Sequence, residues 1–232
     1  MTRGTQTRVE AVYESLRADI LSGRLAPGSR LKFPELGERY GVSVGAAREA
    51  LTRLTSEGFV LAQPRHGYQV RPLTQADLIE LTDARLEIEA LVFRRSVQDG
   101  DMRWESEVVA AHHVLERTPL IAEGEPPQVT EGWSAAHAHF HLALLAGCRN
   151  GRLLSLAQQL RGEAELYRRW SVSMGSEPDR DLAADHRELM EAAVARDAGL
   201  ASDRLRRHIS HTTRLLLAFA REAERTDAAD AS

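Results

Sequence analysis

Histidine is the residue type in this chain best suited to chemistry, and its placement is uneven. His137 and His141 stand four residues apart, so on a helix both imidazoles project from one face, where two ring nitrogens can hold one metal ion. His186 and His208 lie on two later stretches that have helical periodicity of their own. Inward side chains from facing helices can converge on one centre, and a nitrogen-rich donor set suits Zn²⁺ or Ni²⁺. A plainer reading is that these are buried imidazoles satisfied by carbonyls or carboxylates. A catalytic reading also exists: three histidines and an open position can activate water, as in a helical metal-dependent hydrolase, with Asp185 or Glu188 as generic bases. His112, His113, His139 and His211 are taken as structural or solvent-facing.

The elements that must position these histidines are helical. Thr74 can cap a helix carrying Leu78, Leu81, Leu86, Ile88, Leu91 and Val92 at helical spacing. Further helical stretches are expected at about 102–117, 132–146, 151–172, 180–196 and 200–224. Pro119 and residues 123–130, with Pro126-Pro127, read as one loop, and residues 175–178 as another. The expectation is an all-α antiparallel bundle over residues 73–225, followed by a flexible tail at 226–232.

Residues 1–72 read differently. Val9, Val12, Leu16 and Ile20 mark an amphipathic helix over 8–21, and Pro27-Gly28 sets a turn after it. Pro34 suits the first turn of a short second helix that Gly41-Val42 interrupts, and Ser43 can cap a third helix over 44–57. On that third helix Ala47, Leu51 and Leu54 line one face, with Arg48, Thr52 and Arg53 off it. Phe59–Ala62 and Tyr68–Arg71 then read as strands flanking a tip that carries Arg65, His66 and Gly67. Two helices across a Gly-containing turn, followed by a hairpin, make a winged helix-turn-helix: three helices plus a β-hairpin wing, whose third helix offers its first residues to the major groove.

Charge supports this division. Residues 1–72 carry 11 basic and 7 acidic side chains, and residues 73–232 carry 19 and 27. A basic first module suits a polyanion, because neutralising phosphates releases counterions, whereas the acidic remainder is repelled by DNA. With one lysine, Lys32, against 29 arginines, arginine as such says little about phosphate binding, and position has to decide. The lone Cys148 excludes an intrachain disulfide, the first eight residues show no signal-peptide pattern, and no apolar run is long enough to span a bilayer, so a cytoplasmic protein is expected.

The run Leu25-Ala26-Pro27-Gly28, then Gly41-Val42-Ser43, Arg48-Glu49-Ala50-Leu51, Leu54, Glu57-Gly58-Phe59-Val60 and Gly67-Tyr68-Gln69-Val70, resembles the GntR family winged helix over residues 8–72. The resemblance implies that Arg48 contacts the operator and that His66 and Gly67 meet DNA at the wing. Val44 and Pro34 stand where the family often has arginines. Val44 could touch a thymine methyl where arginine would read guanine, so a divergent half-site is expected.

Phe140-His141, Asn150, Asp185-His186-Arg187 and His208-Ile209 are similar to the FCD ligand domain that accompanies the FadR branch of that family, over about residues 74–222. That similarity implies a divalent ion on His141, His186 and His208. The fourth ligand position, usually aspartate, is His137 here. It also implies that Arg85, in an Arg-x-x-x-Glu pattern with Glu89, clamps an effector carboxylate, an intrahelical ion pair being the alternative role. The expectation is therefore a mainly α, sequence-specific transcription regulator and no enzyme: a homodimer on double-stranded operator DNA, acting as a repressor that answers a small carboxylate. Its DNA contacts would be Ser43, Val44, Arg48, Arg53, Arg65, His66 and Gly67. A helical metal-dependent hydrolase is the alternative.

Overall fold

The structure, a computed structural model, describes residues 8–63, 65, 67–122, 129–172 and 182–230, with side chains described only to residue 168 in the helix that ends at 172 and to residue 218 in the last helix. The expected His66, the loops at 123–128 and 175–178 and the last two residues of the expected tail lie outside the described residues. The described chain is mainly helical, in the order α1 (Arg8–Leu21), β1 (Arg30–Leu31), α2 (Phe33–Tyr40), α3 (Val44–Ser56), β2 (Val60–Gln63), β3 (Gly67–Val70), α4 (Gln75–Asp99), α5 (Met102–Arg117), α6 (Glu131–Leu145), α7 (Gly151–Val172), α8 (Leu182–Val194) and α9 (Ala198–Asp230). It divides into two compact units, residues 1–74 with 162–170, and residues 75–161 with 171–232.

In the first unit the apolar stripe of α1 (Val12, Leu16, Ile20) meets Ala50, Leu51 and Leu54 of α3, with Phe59, Val60 and Val70 of the sheet closing the core. Leu166 is buried in the same cluster. The wing is a three-stranded sheet in the order β1-β3-β2. The β2–β3 hairpin pairs Val60 with Val70 and Gln63 with Gly67, as its alternation suggests. The third strand, β1, pairs Arg30 with Gln69 and Leu31 with Tyr68, and two residues are too few to show a period. It is anchored instead by the Val70 N–H donating to the Ser29 carbonyl, the Gly28 N–H donating to the Val70 carbonyl and the Gln69 side-chain amide donating to the Gly28 carbonyl.

One buried acid ties α1 to α2. The Asp19 carboxylate accepts from Arg24 Nε (2.6 Å) and Tyr40 Oη (2.7 Å) and pairs with Arg39 Nη2 (2.8 Å). Burial alone would raise its pKa, but the bonds from Tyr40 and Arg24 and the two guanidinium charges outweigh that and hold it below its ordinary range.

The second unit is a helical bundle in which α4 packs chiefly on α9, α5 on α6, and α8 on α9 and α5. Phe93, Val108, Phe140, Leu144, Leu189 and Leu205 are fully buried within it. The sharp α4–α5 connection is held by Arg196, in left-handed conformation just after α8. Its guanidinium donates to the carbonyls of Val97, Gly100 and Asp101, pairs with Glu105 and lies over the Trp104 ring. Helix α9 continues through 226–230, where a flexible tail is expected from sequence. After Gly199 the segment contains neither glycine nor proline, and alanines at 228 and 229 favour helix, so nothing local stops it.

Candidate metal centre and nucleic-acid interface

Helix α6 begins at Thr130, whose hydroxyl accepts the Trp133 N–H (3.0 Å), and that cap sets the phase of the helix. With this phase His137 and His141 face inward, 7% and 2% exposed, while His139 between them faces solvent near Glu107. His186 comes from α8 and His208 from α9, and both are buried. The four side chains expected to group do group: one ligand atom from each lies within 4.8 Å of all the others. Ring centroids are 4.6 Å apart for His137 and His141, and 5.1 Å for His141 and His208 and for His186 and His208. Trp133 stacks on His137 at 4.7 Å and Phe140 packs edge-on against His141 and His186, which fixes the imidazole planes.

The donor set fits a divalent ion. Four nitrogens at the corners of a tetrahedral ion with bonds of about 2.1 Å lie about 3.4 Å apart, so the widest pair has to draw in by roughly 1.4 Å for the cluster to close on one ion. His141 Nε2 is buried and has no hydrogen-bond partner among the described residues. A buried acceptor or donor in that state is costly unless something else satisfies it. Burial, reinforced by the charges of Arg161 and of the other three histidines, pushes the His141 pKa well below its ordinary value, so its lone pair is available to a cation. Asp185 Oδ2 stands 3.7 Å from His208 Nδ1, the position from which a carboxylate orients a ligating imidazole.

The same unit holds a buried ionic group that sequence reasoning finds only in part. Glu89 is completely buried and bonds both Arg85 Nε (2.5 Å) and Arg161 Nη1 (3.0 Å), whose side chains are each 12% exposed. Arg85 and Glu89 do form the intrahelical pair read as the alternative role for this pattern. Arg161 escapes sequence reasoning, since it lies 72 residues from Glu89 in the chain. The available signal is its phase on α7, where Leu154, Ala157 and Arg161 recur at helical steps and put a guanidinium in an inward stripe. Burial alone would raise the Glu89 pKa, but the two arginines outweigh it and keep the carboxylate ionised.

On the first unit, Ser43 caps α3 by accepting the Ala46 N–H (3.3 Å), after Gly41 at φ +64° has turned the chain out of α2. Val44 is 53% exposed on the first turn of α3. Arg48, one turn on, is exposed, and its guanidinium lies 4.9 Å above the Phe33 ring, which itself packs edge-on against Tyr68 of β3. Arg53 does not join them: it pairs with Glu10 (3.0 Å) and Glu57 (3.3 Å) and lies 3.6 Å above the Tyr13 ring, so it is engaged with α1. At the wing tip Arg65 is exposed and in left-handed conformation, φ +66°, and Gly67 has φ +81°.

Residues 8–70 match the model for bacterial regulatory proteins, gntR family, and residues 80–211 match the FCD domain model. The chain is 35% identical over 211 residues to the HTH-type transcriptional regulator BphR of Paraburkholderia xenovorans, covering 91% of this chain and 86% of that protein. It is 32% identical to the HTH-type transcriptional repressor GlaR of Escherichia coli, covering 85% of this chain and 90% of that one. Among solved structures, E. coli McbR/YncC has a similar fold, with a TM-score of 0.72 at 20% identity over 92% of this chain and 98% of that chain. These relatives are transcriptional regulators and not enzymes, which removes the hydrolase alternative. No helix among the described residues is long and apolar enough to cross a membrane.

Proposed function

The chain belongs to the gntR family of bacterial regulatory proteins, with an FCD domain behind its winged helix, and from that premise we propose a metabolite-responsive repressor that binds a palindromic operator as a homodimer in the cytoplasm. That it is a DNA-binding transcription regulator follows from the family. The finer reading rests on the two sites above.

At the operator, the first turn of α3 enters the major groove. Val44 packs on a thymine methyl, and Arg48, held over Phe33, reaches a phosphate or a base edge. The Ser43 hydroxyl, which accepts from Ala46, still has its proton to donate to a phosphate. Arg65, His66 and Gly67 meet the backbone or minor groove from the wing. Arg53 is left out of this interface because its charge is already matched by Glu10 and Glu57.

In the bundle, His137, His141, His186 and His208 hold a divalent ion, Zn²⁺ or Ni²⁺ by the softness of four neutral imidazoles. When bound, that ion supplies a Lewis-acidic position for one carboxylate of the effector. Arg85, beside Glu89, supplies guanidinium N–H donors to the same ligand. The effector releases DNA only by as much as it binds the DNA-incompetent form better than the competent one.

The observation that carries this reading is the convergence of four buried histidines from three helices. The test is metal analysis of protein purified without nickel resin, joined to operator binding by fluorescence anisotropy with and without small carboxylates. One ion per chain and carboxylate-dependent release are expected. Protein that binds the operator yet carries no metal and ignores every carboxylate would sink the reading.

A further inference from the structure

Helix α4 leaves one stripe uncovered. Glu80, Asp83, Glu87, Leu91 and Arg94 recur at three- and four-residue steps and are all exposed, as is Arg95 beside them. The stripe is segregated by charge: acids occupy the half toward the start of α4 and arginines the half toward its end, with Leu91, 38% exposed, between them. Glu80, Asp83, Arg94 and Arg95 make no hydrogen bond or ion pair among the described residues, whereas Arg187, Arg196 and Arg206 on the same bundle pair with Glu116, Glu105 and Glu87. The helix dipole does not explain the pattern, because it acts within the first and last turns and Asp83 and Glu87 lie beyond them. Within one helix, acids three and four residues apart repel each other. At the arginine end, an open groove of about 1240 Å³ between the end of α4 and the start of α7 adds Arg149, Arg152 and Leu156 to Arg95, against one acid, Asp99.

We propose that this stripe is the face on which two copies of the chain pair, with their α4 helices antiparallel across a two-fold axis near residues 88–89. The inference rests on the homodimer of the function proposed above and names the surface that makes it.

A two-fold axis presents a patch to its own copy, so a charged patch must be complementary to itself. Parallel helices would set Asp83 against Asp83 and Arg94 against Arg94. Antiparallel helices set the acidic half of each stripe on the basic half of the other. With the axis near residues 88–89, Asp83 meets the partner's Arg94, and by symmetry Arg94 meets the partner's Asp83. Glu80 reaches the end of the stripe where the partner's Arg95 borders its groove, which adds further positive charge there. Leu91 lies beside the partner's Glu87, whose charge Arg206 already matches within its own chain at 3.2 Å. Each contact is made twice, and acids that repel one another along one helix gain cations from the other. Charges flanking a helix pair set its orientation and its choice of partner in this way.

The experiment is sedimentation velocity on the full-length protein. It compares wild type with two charge-reversed variants, one carrying Glu80→Arg and Asp83→Arg, the other Arg94→Glu and Arg95→Glu. Each variant alone sets like charges across the axis, and its dimer dissociation constant should rise about tenfold or more. An equimolar mixture of the two, one of them fluorescently labelled, should associate as wild type does, because both contacts of the mixed dimer are complementary. In wild type, raising the salt from about 0.05 M to about 0.5 M should weaken the dimer by screening the same pairs. Folded variants as dimeric as wild type, or a mixture of folded variants that stays monomeric, would overturn the inference and leave the homodimer standing. Where a variant does not fold, the salt series decides, and a wild-type dimer indifferent to salt overturns the inference. Wild type that is monomeric at every concentration would overturn the homodimer and this inference with it.

Discussion

Val44, on the first turn of α3, is half exposed, and Arg48 beside it lies in solvent against one aromatic ring. His141, in the middle of α6, is 2% exposed and surrounded by three imidazoles and Phe140. In the proposed reading the first unit keeps its working groups outside the core, where the ligand is a surface and each side chain acts almost alone. The second unit keeps its own inside, where no group can change without leaving another buried and unmatched. Substitutions in the first should alter recognition with little loss of stability, and substitutions in the second should alter both together.

The largest effect is expected at the proposed metal ligands. His208→Ala removes one of four donors and opens a cavity beside Asp185, and it should abolish stoichiometric zinc and the carboxylate response together. Chelation of the wild-type protein should lower the melting temperature of the second unit, because an ion that binds only the folded state stabilises it. Metal analysis and differential scanning calorimetry measure the two. An unchanged melting profile after chelation would count against a coordinated ion.

Next in size is a contrast between two buried acids. Glu89 sits between arginines that are each 12% exposed, whereas Asp19 sits between Arg24 and Arg39, which are 58% and 43% exposed. Glu89→Gln strands two desolvated guanidiniums and should cost about 3–5 kcal/mol. Asp19→Asn leaves cations that water can still reach, and about 1–2 kcal/mol is expected after screening. Both folded pKa values lie below the ordinary 4.5 and 3.8, so both contributions are present at neutral pH and are lost as pH falls through the folded values. Urea unfolding from neutral to acid pH should show wild type converging on each variant, with the wider gap closing for Glu89. A variant as stable as wild type at neutral pH would break the contrast.

How far each unit is legible in the sequence follows from the same difference. Periodicity locates the helices, and the four-residue step of His137 and His141 places both on the buried face, because a helix maps spacing onto direction. It cannot place Arg161 against Glu89, since that pairing depends on how α4 and α7 pack. Nor can it see that Arg53 is held by α1, because Glu10 and Tyr13 become its neighbours only when α1 packs on α3. The two residues of β1 carry no pattern, and their pairing depends on a strand far later in the chain. Local capping is legible because it needs only neighbours in the chain: Ser43 caps α3 as expected, which leaves Val44 and Arg48 exposed on its first turns.

A smaller effect, confined to recognition, is expected at Val44. Val44→Arg exchanges a methyl contact for a guanidinium that prefers guanine, so an operator selection should shift at one base pair per half-site, by about 1–3 kcal/mol of discrimination. Thermal stability should not move, since the side chain is half exposed and stands outside the core of its unit. Selection of the same half-site by both proteins would remove Val44 from the reading surface.

The smallest effect separates two arginines five residues apart on α3. Arg48→Ala should weaken operator binding and flatten its salt dependence by about 0.9 for each phosphate that is no longer neutralised, because one fewer counterion is released. Arg53→Ala should leave that slope unchanged, since its guanidinium faces Glu10, Glu57 and the Tyr13 ring. Its removal should instead lower the urea midpoint of the first unit modestly. It also takes away a charge that holds down the Tyr13 pKa, which burial and Glu57 have raised to about 12. If Arg53→Ala flattened the salt dependence as much as Arg48→Ala, the guanidinium would have to leave α1 when DNA binds, and the first unit would no longer be a preformed reader.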